Sequence, residues 1–356
     1  MVDNTIQQPT RRQVLQTGSV VAGAAVAGCL GGSDDDTLGY ISRGGITQDA
    51  ERELFEEWSA DSGIDVTHQE VADDAEMVEL IAANPNDFDF ANLVSWAYEL
   101  NRLEHDEGLF AEIDVDRVPN YDNVDDAWQS APLVDDNPYG IFYYISTQGL
   151  IYNTEHGDIS SWEDMKDEEY DGELTLQDSA VSRFGNSCAS LGYDIAEAAN
   201  DDDLYEDAVA EMEDQHENVF TYWTAGDEFM RLLREEQAAV SEGWGGRAEN
   251  LQEDGYPVEY VIPEEGCITW STAFSIVEES DMKEEVYDLL DFIYERENAV
   301  ELAQTHKYPV PLEDPPEEIT ERAEYTEDPD DLVWIDWSDI VPLQEELEQR
   351  HNEIQS

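Results

Sequence analysis

The sequence predicts an α/β protein of two lobes, with the chain crossing between them on extended segments. Three observations carry this. Strand-like apolar runs alternate with helical repeats over residues 38–107 and again over 149–267, the pattern of a parallel sheet with covering helices. Two extended stretches, residues 138–153 (PYGIFYYISTQGLIYN) and 255–276 (GYPVEYVIPEEGCITWSTAFSI), lie at the edges of the second unit. And a chain of 356 residues is long enough for two packed cores.

Composition narrows the function. The formal net charge is −72, from 88 acidic and 16 basic residues, and the acids are scattered through every element. A disordered acidic chain is poor in aromatics, whereas this one holds 9 Trp and 17 Tyr. The physical reading is an acidic surface adapted to high salt, where counterions screen the self-repulsion; the source is expected to be an extreme halophile. Nucleic acid is excluded as a partner for want of a basic face. Against so many acids a close pair of carboxylates carries no signal, so no general-acid/base pair is assigned. Each basic residue in a loop, by contrast, is informative.

Residues 1–28 read as a leader outside the fold. Thr10-Arg11-Arg12-Gln13-Val14-Leu15 resembles a twin-arginine export signal, and the small uncharged run behind it is too short for a membrane helix. Val26-Ala27-Gly28-Cys29 resembles a lipobox, making Cys29 the lipidated N-terminus; the alternative is simple cleavage. Residues 29–37, with GGSDDD, form a flexible charged tether.

From Leu38 the elements follow in order. LGYIS is a strand and SRGGI a Gly-rich loop. Ala50, Leu54, Phe55 and Trp58 recur at helical spacing, and Gly63 closes that helix. Residues 64–68 are a strand, 77–83 a helix, 88–94 a strand, and 97–107 a helix stopped by Gly108. After the first crossing, Ser160 to Asp164 (SSWED) reads as a helix start, with a Ser cap and early acids. Residues 172–178 are a strand, 182–191 a helix ended by Gly192, and two helices and a strand lead to Glu242. In the second crossing Pro263 and Gly266 separate two strands, and Trp270 is expected to face the gap. A β-hairpin inside one domain would fit that stretch alone equally well. The second of these strands, residues 268–276, and a helix over 282–304 are added to the first unit, and an acidic tail follows, ending in an amphipathic helix near 342–354.

Internal repeats, zinc spacings, a Walker motif, GxGxxG and GxSxG are all missing from the sequence, so no cofactor or metal is expected. Cys188 and Cys267 are read as two buried free thiols in preference to a bridge.

FDFANLVSWAYELNRLEHDEGLFAEID, QGLIYN, SSWEDMKDEEYDGELTLQDS, AVSEGWGG, PEEGCITW and HKYPVP occur in this order. The series resembles the spermidine/putrescine-binding type of ABC-importer substrate-binding protein, over nearly all of the mature chain. With the acidic composition it implies a haloarchaeal solute-binding lipoprotein. The resemblance implies a two-lobed, periplasmic-binding-protein-like type II fold with a ligand in the cleft. Lobe 1 would be residues 38–148 plus 271–312, and lobe 2 residues 149–270 plus 313–356. It further implies a monomeric receptor, not an enzyme, that delivers a small molecule to ABC permease subunits. It would be held on the outer side of the cytoplasmic membrane by its lipid anchor alone. The rival reading is an exported hydrolase of polyanionic or sugar substrates, although no nucleophile–base set is visible. A structural surface protein would show repeats or Ser/Thr stalks.

Aromatic faces attract ammonium groups and alkyl chains. The aromatic positions the resemblance carries over are Trp96, Tyr98, Trp244, Trp270 and Tyr308, with plain core packing as the alternative. The family's carboxylates do not carry over. Ser179, Ser182 and Thr272 stand where polyamine binders place acids. Arg43, Arg183 and Arg247 instead stand in loops expected to face the ligand. Arg forks onto carboxylate or phosphate, and a helix N-terminus near Arg183 would help. The alternative is that these arginines pair with surface acids. The ligand is therefore expected to be polyamine-type by family, or anionic or zwitterionic by its arginines.

Overall fold

The structure, a computed structural model, describes residues 37–105, 108–129, 138–329 and 332–356. The export signal, the lipobox and Cys29 lie outside the described residues.

The first strands and helices form as their patterns require. β1 (Thr37–Arg43), α1 (Ile46–Ser62), β2 (Asp65–Val71), α2 (Asp74–Ala83), β3 (Phe90–Val94) and α3 (Ser95–His105) alternate, and β1 lies parallel to both β2 and β3. α1 buries Ala50, Leu54, Phe55 and Trp58 and ends at Gly63, whose φ of 79° puts it in the left-handed region that glycine enters without strain. Asp73 caps α2 by accepting the Glu76 N–H.

After the short α4 (Asp126–Gln129) comes β4 (Ile141–Asn153), with all of its 13 residues buried. β4 is the spine of the molecule. Its first half pairs antiparallel with β9 (Ile268–Ile276). Its second half pairs antiparallel with β7 (Val240–Trp244) and β8 (Val258–Val261). The strands run β2-β1-β3-β9-β4-β7-β5-β6, where β5 is Leu174–Gln177 and β6 is Val219–Trp223. At the turnover point a Cβ on Gly149 would strike the Val261 carbonyl and the Tyr260 ring, so only glycine lets β8 approach β4.

β8 and β9 pair not with each other but with different stretches of β4. The 255–276 stretch is therefore a crossing and not a hairpin. The second unit holds more than the sequence pattern indicates. α5 (Ala180–Leu191), α6 (Ile195–Asn200) and α7 (Asp202–His216) lead to β6, then α8 (Gly226–Arg234), β7 and α9 (Gly245–Glu253). The helix expected to start at Ser160 is only a pair of 3-10 turns, at Asp164–Lys166 and Glu168–Tyr170. Asp164 takes the amides of Ser160 and Ser161 at 2.8 and 3.0 Å, which satisfies them without a helix. The helix expected over 282–304 is two helices, α10 (Lys283–Ile293) and α11 (Arg296–His306), both packed on α1.

The tail continues through α12 (Glu317–Thr320), β10 (Val333–Trp334), α13 (Trp337–Ile340) and α14 (Gln344–Ile354). Ile335, Ile340 and Leu347 are buried with Phe184, Tyr205 and Met212 of α5 and α7. Cys188 and Cys267 are both free and buried; burial pushes the Cys188 thiol up to about 12, which keeps it protonated and inert.

Candidate ligand-binding cleft

Two adjoining cavities open beside the crossing strands. One, of about 350 Å³, is lined by Arg43 at the end of β1, Glu51 of α1, Tyr144 of β4, Asp227, Arg247 and Tyr308. The other, of about 320 Å³, is lined by Trp96, Gln148, Gln177, Ser179, Ser182 and Trp337. Arg43, Trp244 and Trp270 line both. Both tryptophans stand on crossing or adjacent strands. Trp244 ends β7 and Trp270 lies early in β9, and their rings meet edge-on with centroids 6.5 Å apart. Tyr308 stacks on Tyr144 at 5.2 Å.

Of the three arginines, the structure brings two to the cavities. Arg43 donates from Nη1 to Asp74 Oδ2 at 3.0 Å, and Asp74 also accepts the Val94 N–H at 3.0 Å. Burial raises the Asp74 pKa while Arg43 opposes the rise. Arg247 reaches the exposed Asp227 at 3.4 Å, and its buried Nε has no hydrogen-bond partner. Arg183 is not at a cavity wall. It lies on the face of α5 shared by Ala180, Phe184 and Ser187, is 2% exposed, and donates to Glu242 at 2.8 Å. It supports the fold from behind the cleft. Tyr98 is also off the walls. α3 begins at Ser95, so Trp96 stands at the cavity while Tyr98 turns inward, its OH 2.8 Å from Ser275 Oγ and its ring against Phe110.

Several wall residues escaped the sequence pattern. Glu51 is fully buried; it accepts from Tyr40 OH at 2.5 Å and from Asn92 Nδ2 at 2.6 Å. Burial pushes its pKa up to about 7. A signal existed, since Glu51 falls on the buried stripe of α1 with Leu54, Phe55 and Trp58, where a carboxylate needs partners. Gln148, Gln177 and Trp337 carried none, because they come from three distant segments. Among the described residues no acidic side chain lines the second cavity. Among the described residues no group of His, Cys, Asp and Glu is placed to hold a metal ion.

Residues 53–330 match the family described as bacterial extracellular solute-binding protein. The chain belongs to this family. It is 26% identical over 303 residues to the spermidine/putrescine-binding periplasmic protein of Salmonella typhimurium, covering 84% of each. It superposes on the spermidine/putrescine ABC transporter substrate-binding protein of Streptococcus pneumoniae with a TM-score of 0.78 at 21% identity, over 90% of this chain and all of that one. A lipoprotein of Treponema pallidum gives 0.74 at 16% identity, over 90% of this chain and 99% of that one. The receptor thus has the two-lobed, type II periplasmic-binding-protein fold, crossed by β4 and β9. It serves an ABC transporter as its solute-binding component and is not an enzyme; the hydrolase reading is set aside. It binds a small molecule and the transporter's permease.

Proposed function

We propose that this receptor captures a small organic solute bearing an anionic group, itself anionic or zwitterionic, and hands it to the permease. One observation carries the reading. In a chain with 88 acidic residues, no acid among the described residues lines the second cavity, and the first presents two guanidinium groups, Arg43 and Arg247. Ammonium ends of a polyamine call for carboxylate partners, and Ser179 and Ser182 line the cleft where acids would serve. Guanidinium groups suit carboxylate or phosphate. Arg247 makes a long contact to an exposed acid, a pairing that contributes little by itself.

A polyamine is the second reading. It is favoured by the relative from Salmonella typhimurium, by the tryptophan faces, and by Glu51 and Asp227 at the first cavity. Burial raises the Glu51 pKa, however, which weakens it as a counter-charge. The test is a thermal-shift and calorimetric panel in molar salt, with spermidine, putrescine, γ-aminobutyrate, succinate and inorganic phosphate. A bound ligand at a hundredfold excess over its Kd stabilises by about 2.7 kcal/mol. Shifts with anions or zwitterions, abolished by Arg247→Glu, are expected. A shift with polyamines alone, indifferent to Arg247→Glu, would sink the anionic reading.

In this proposal lobe 1 comprises residues 38–148 plus 271–312 and lobe 2 residues 149–270 plus 313–356, hinged on β4 and β9. Arg11-Arg12 directs export and Cys29 carries the lipid, so that a monomer stands on the outer face of the cytoplasmic membrane. The acidic surface belongs to a halophile. Cys29→Ser is expected to release the protein from the membrane fraction; continued membrane association of that variant would remove the anchor from the proposal.

A further inference from the structure

The outer wall of the second cavity is built by the C-terminal tail. Ile335 and Ile340 seat the tail on the core of α5 and α7. From there Trp337 reaches α3, where its indole Nε1 donates to Ser95 Oγ at 3.1 Å and its ring centroid lies 6.4 Å from that of Trp96. With Trp244 and Trp270 this makes four indoles around a space of about 320 Å³, large enough for a ring system. Three polar atoms on residues lining this space are buried and have no hydrogen-bond partner among the described residues. They are Gln148 Nε2, Trp244 Nε1 and Gln177 Oε1; Gln148 itself is 1% exposed. Two are donors and one is an acceptor, with the Gln orientations assigned as they stand. Unpaired buried polar atoms are costly, and a turn of the Gln148 or Gln177 side chain that brings its amide to a ligand edge recovers part of that cost.

An ammonium group entering here would meet π faces but no counter-charge, with the Arg43 guanidinium at the junction opposing it. An uncharged planar group with carbonyl oxygens and an N–H meets the stacking faces, with the amide side chains of Gln148 and Gln177 on the same walls to pair with its edge. We propose that this compartment takes a carboxamide or N-heterocycle carried by the same solute whose anionic group lies by Arg43 and Arg247, and that Trp337 and Gln148 select it. The inference rests on the anionic reading above and adds the chemistry of the solute's uncharged body.

The experiment is calorimetric titration of the receptor in molar salt with four probes. Orotate has an anionic group and an imide ring, benzoate a ring without that edge, succinate no ring, and spermidine no anion. Orotate is expected to bind tightest. Trp337→Ala is expected to weaken orotate by about tenfold while leaving succinate unchanged, and Gln148→Leu to reduce the preference for orotate over benzoate. Trp337→Phe, which keeps a ring on the tail, is expected to restore most of the affinity, and thermal unfolding of each variant reports its folding separately. Orotate binding no tighter than succinate, or insensitive to Trp337→Ala, overturns the compartment and leaves the anionic reading standing. Spermidine binding alone, unaffected by Arg247→Glu, overturns both.

Discussion

Glu324 accepts the backbone N–H of Thr147 at 2.9 Å through one carboxylate oxygen, while the other takes the N–H groups of Gly245 and Gly246. Thr147 belongs to the crossing strand β4. Gly245 and Gly246 open α9, between Trp244 and Arg247 on the cleft wall. A single buried carboxyl group from the segment between α12 and β10 therefore ties the hinge strand to a helix N-terminus, whose N–H groups lack partners within the helix. A Cβ on Gly245 would collide with Glu324, so the glycine makes room for the contact. Glu324→Ala leaves three buried N–H groups unpaired. We expect a loss of roughly 2–4 kcal/mol of stability, read by denaturant unfolding in molar salt, with faster hydrogen exchange at residues 147, 245 and 246. A change below about 0.5 kcal/mol would show that water replaces the carboxylate at little cost.

The same residue gives a pH signature. Burial pushes Glu324 up to about 8 and Glu51 up to about 7, from an ordinary 4.5. Each binds more protons folded than unfolded between these values. The stability each contributes is complete below 4.5 and is lost as pH rises through 7 and 8. His306 and His68 act oppositely. Burial lowers them to about 3 and about 4 from 6.5, so their contribution is complete above 6.5 and lost on acidification. Between about pH 4.5 and 6.5 the two pairs offset each other, so the unfolding free energy is expected to be flat there and to fall on either side, by roughly 1–2 kcal/mol per group and less for the partly exposed His68. In chemical denaturation from pH 6 to 9, Glu324→Gln should remove most of the alkaline decline and Glu51→Gln a smaller share. An equally steep decline in the Glu324→Gln variant would assign it to the general acidity of the chain.

The local period of the chain carried most of the element order. Apolar spacing marked α1, and glycines at positions 63 and 192 marked helix ends, because both signals are confined to one turn. What that period could not reach is which strands pair. The 255–276 stretch suits a hairpin and a crossing alike until β4 is seen to take β8 and β9 on separate halves of its length. The same division holds at the cleft. Trp244 and Trp270 stand on strands beside the crossing, and the structure puts them on both cavity walls. Arg183 and Tyr98 lie a few residues inside helices, and there the choice of face depends on partners far away in sequence. Glu242 claims Arg183, and Ser275 meets Tyr98. Trp337 comes from a tail whose role depends on its seat against α5 and α7.

Arg183 shows how far position in a helix changes the meaning of a charge. Its guanidinium donates to Glu242 and Gln215. Glu242, fully buried, also accepts the Gln177 N–H at 3.0 Å and a hydrogen from Asn186. Asn186 in turn accepts the Ile268 N–H at 2.9 Å and donates to the Gln148 carbonyl at 3.2 Å, so the network reaches both crossing strands. Removing the arginine strands a carboxylate in the interior, an effect of about 3–5 kcal/mol. Arg183→Met is therefore expected to lower the unfolding free energy by that order. Adding Glu242→Gln should restore about half of the loss, because a neutral amide needs no counter-charge yet still accepts the Gln177 N–H. Thermal and denaturant unfolding of both variants in the same salt would measure this. If the second substitution restores nothing, the stability lies in the packing of the arginine's alkyl stem and not in its charge.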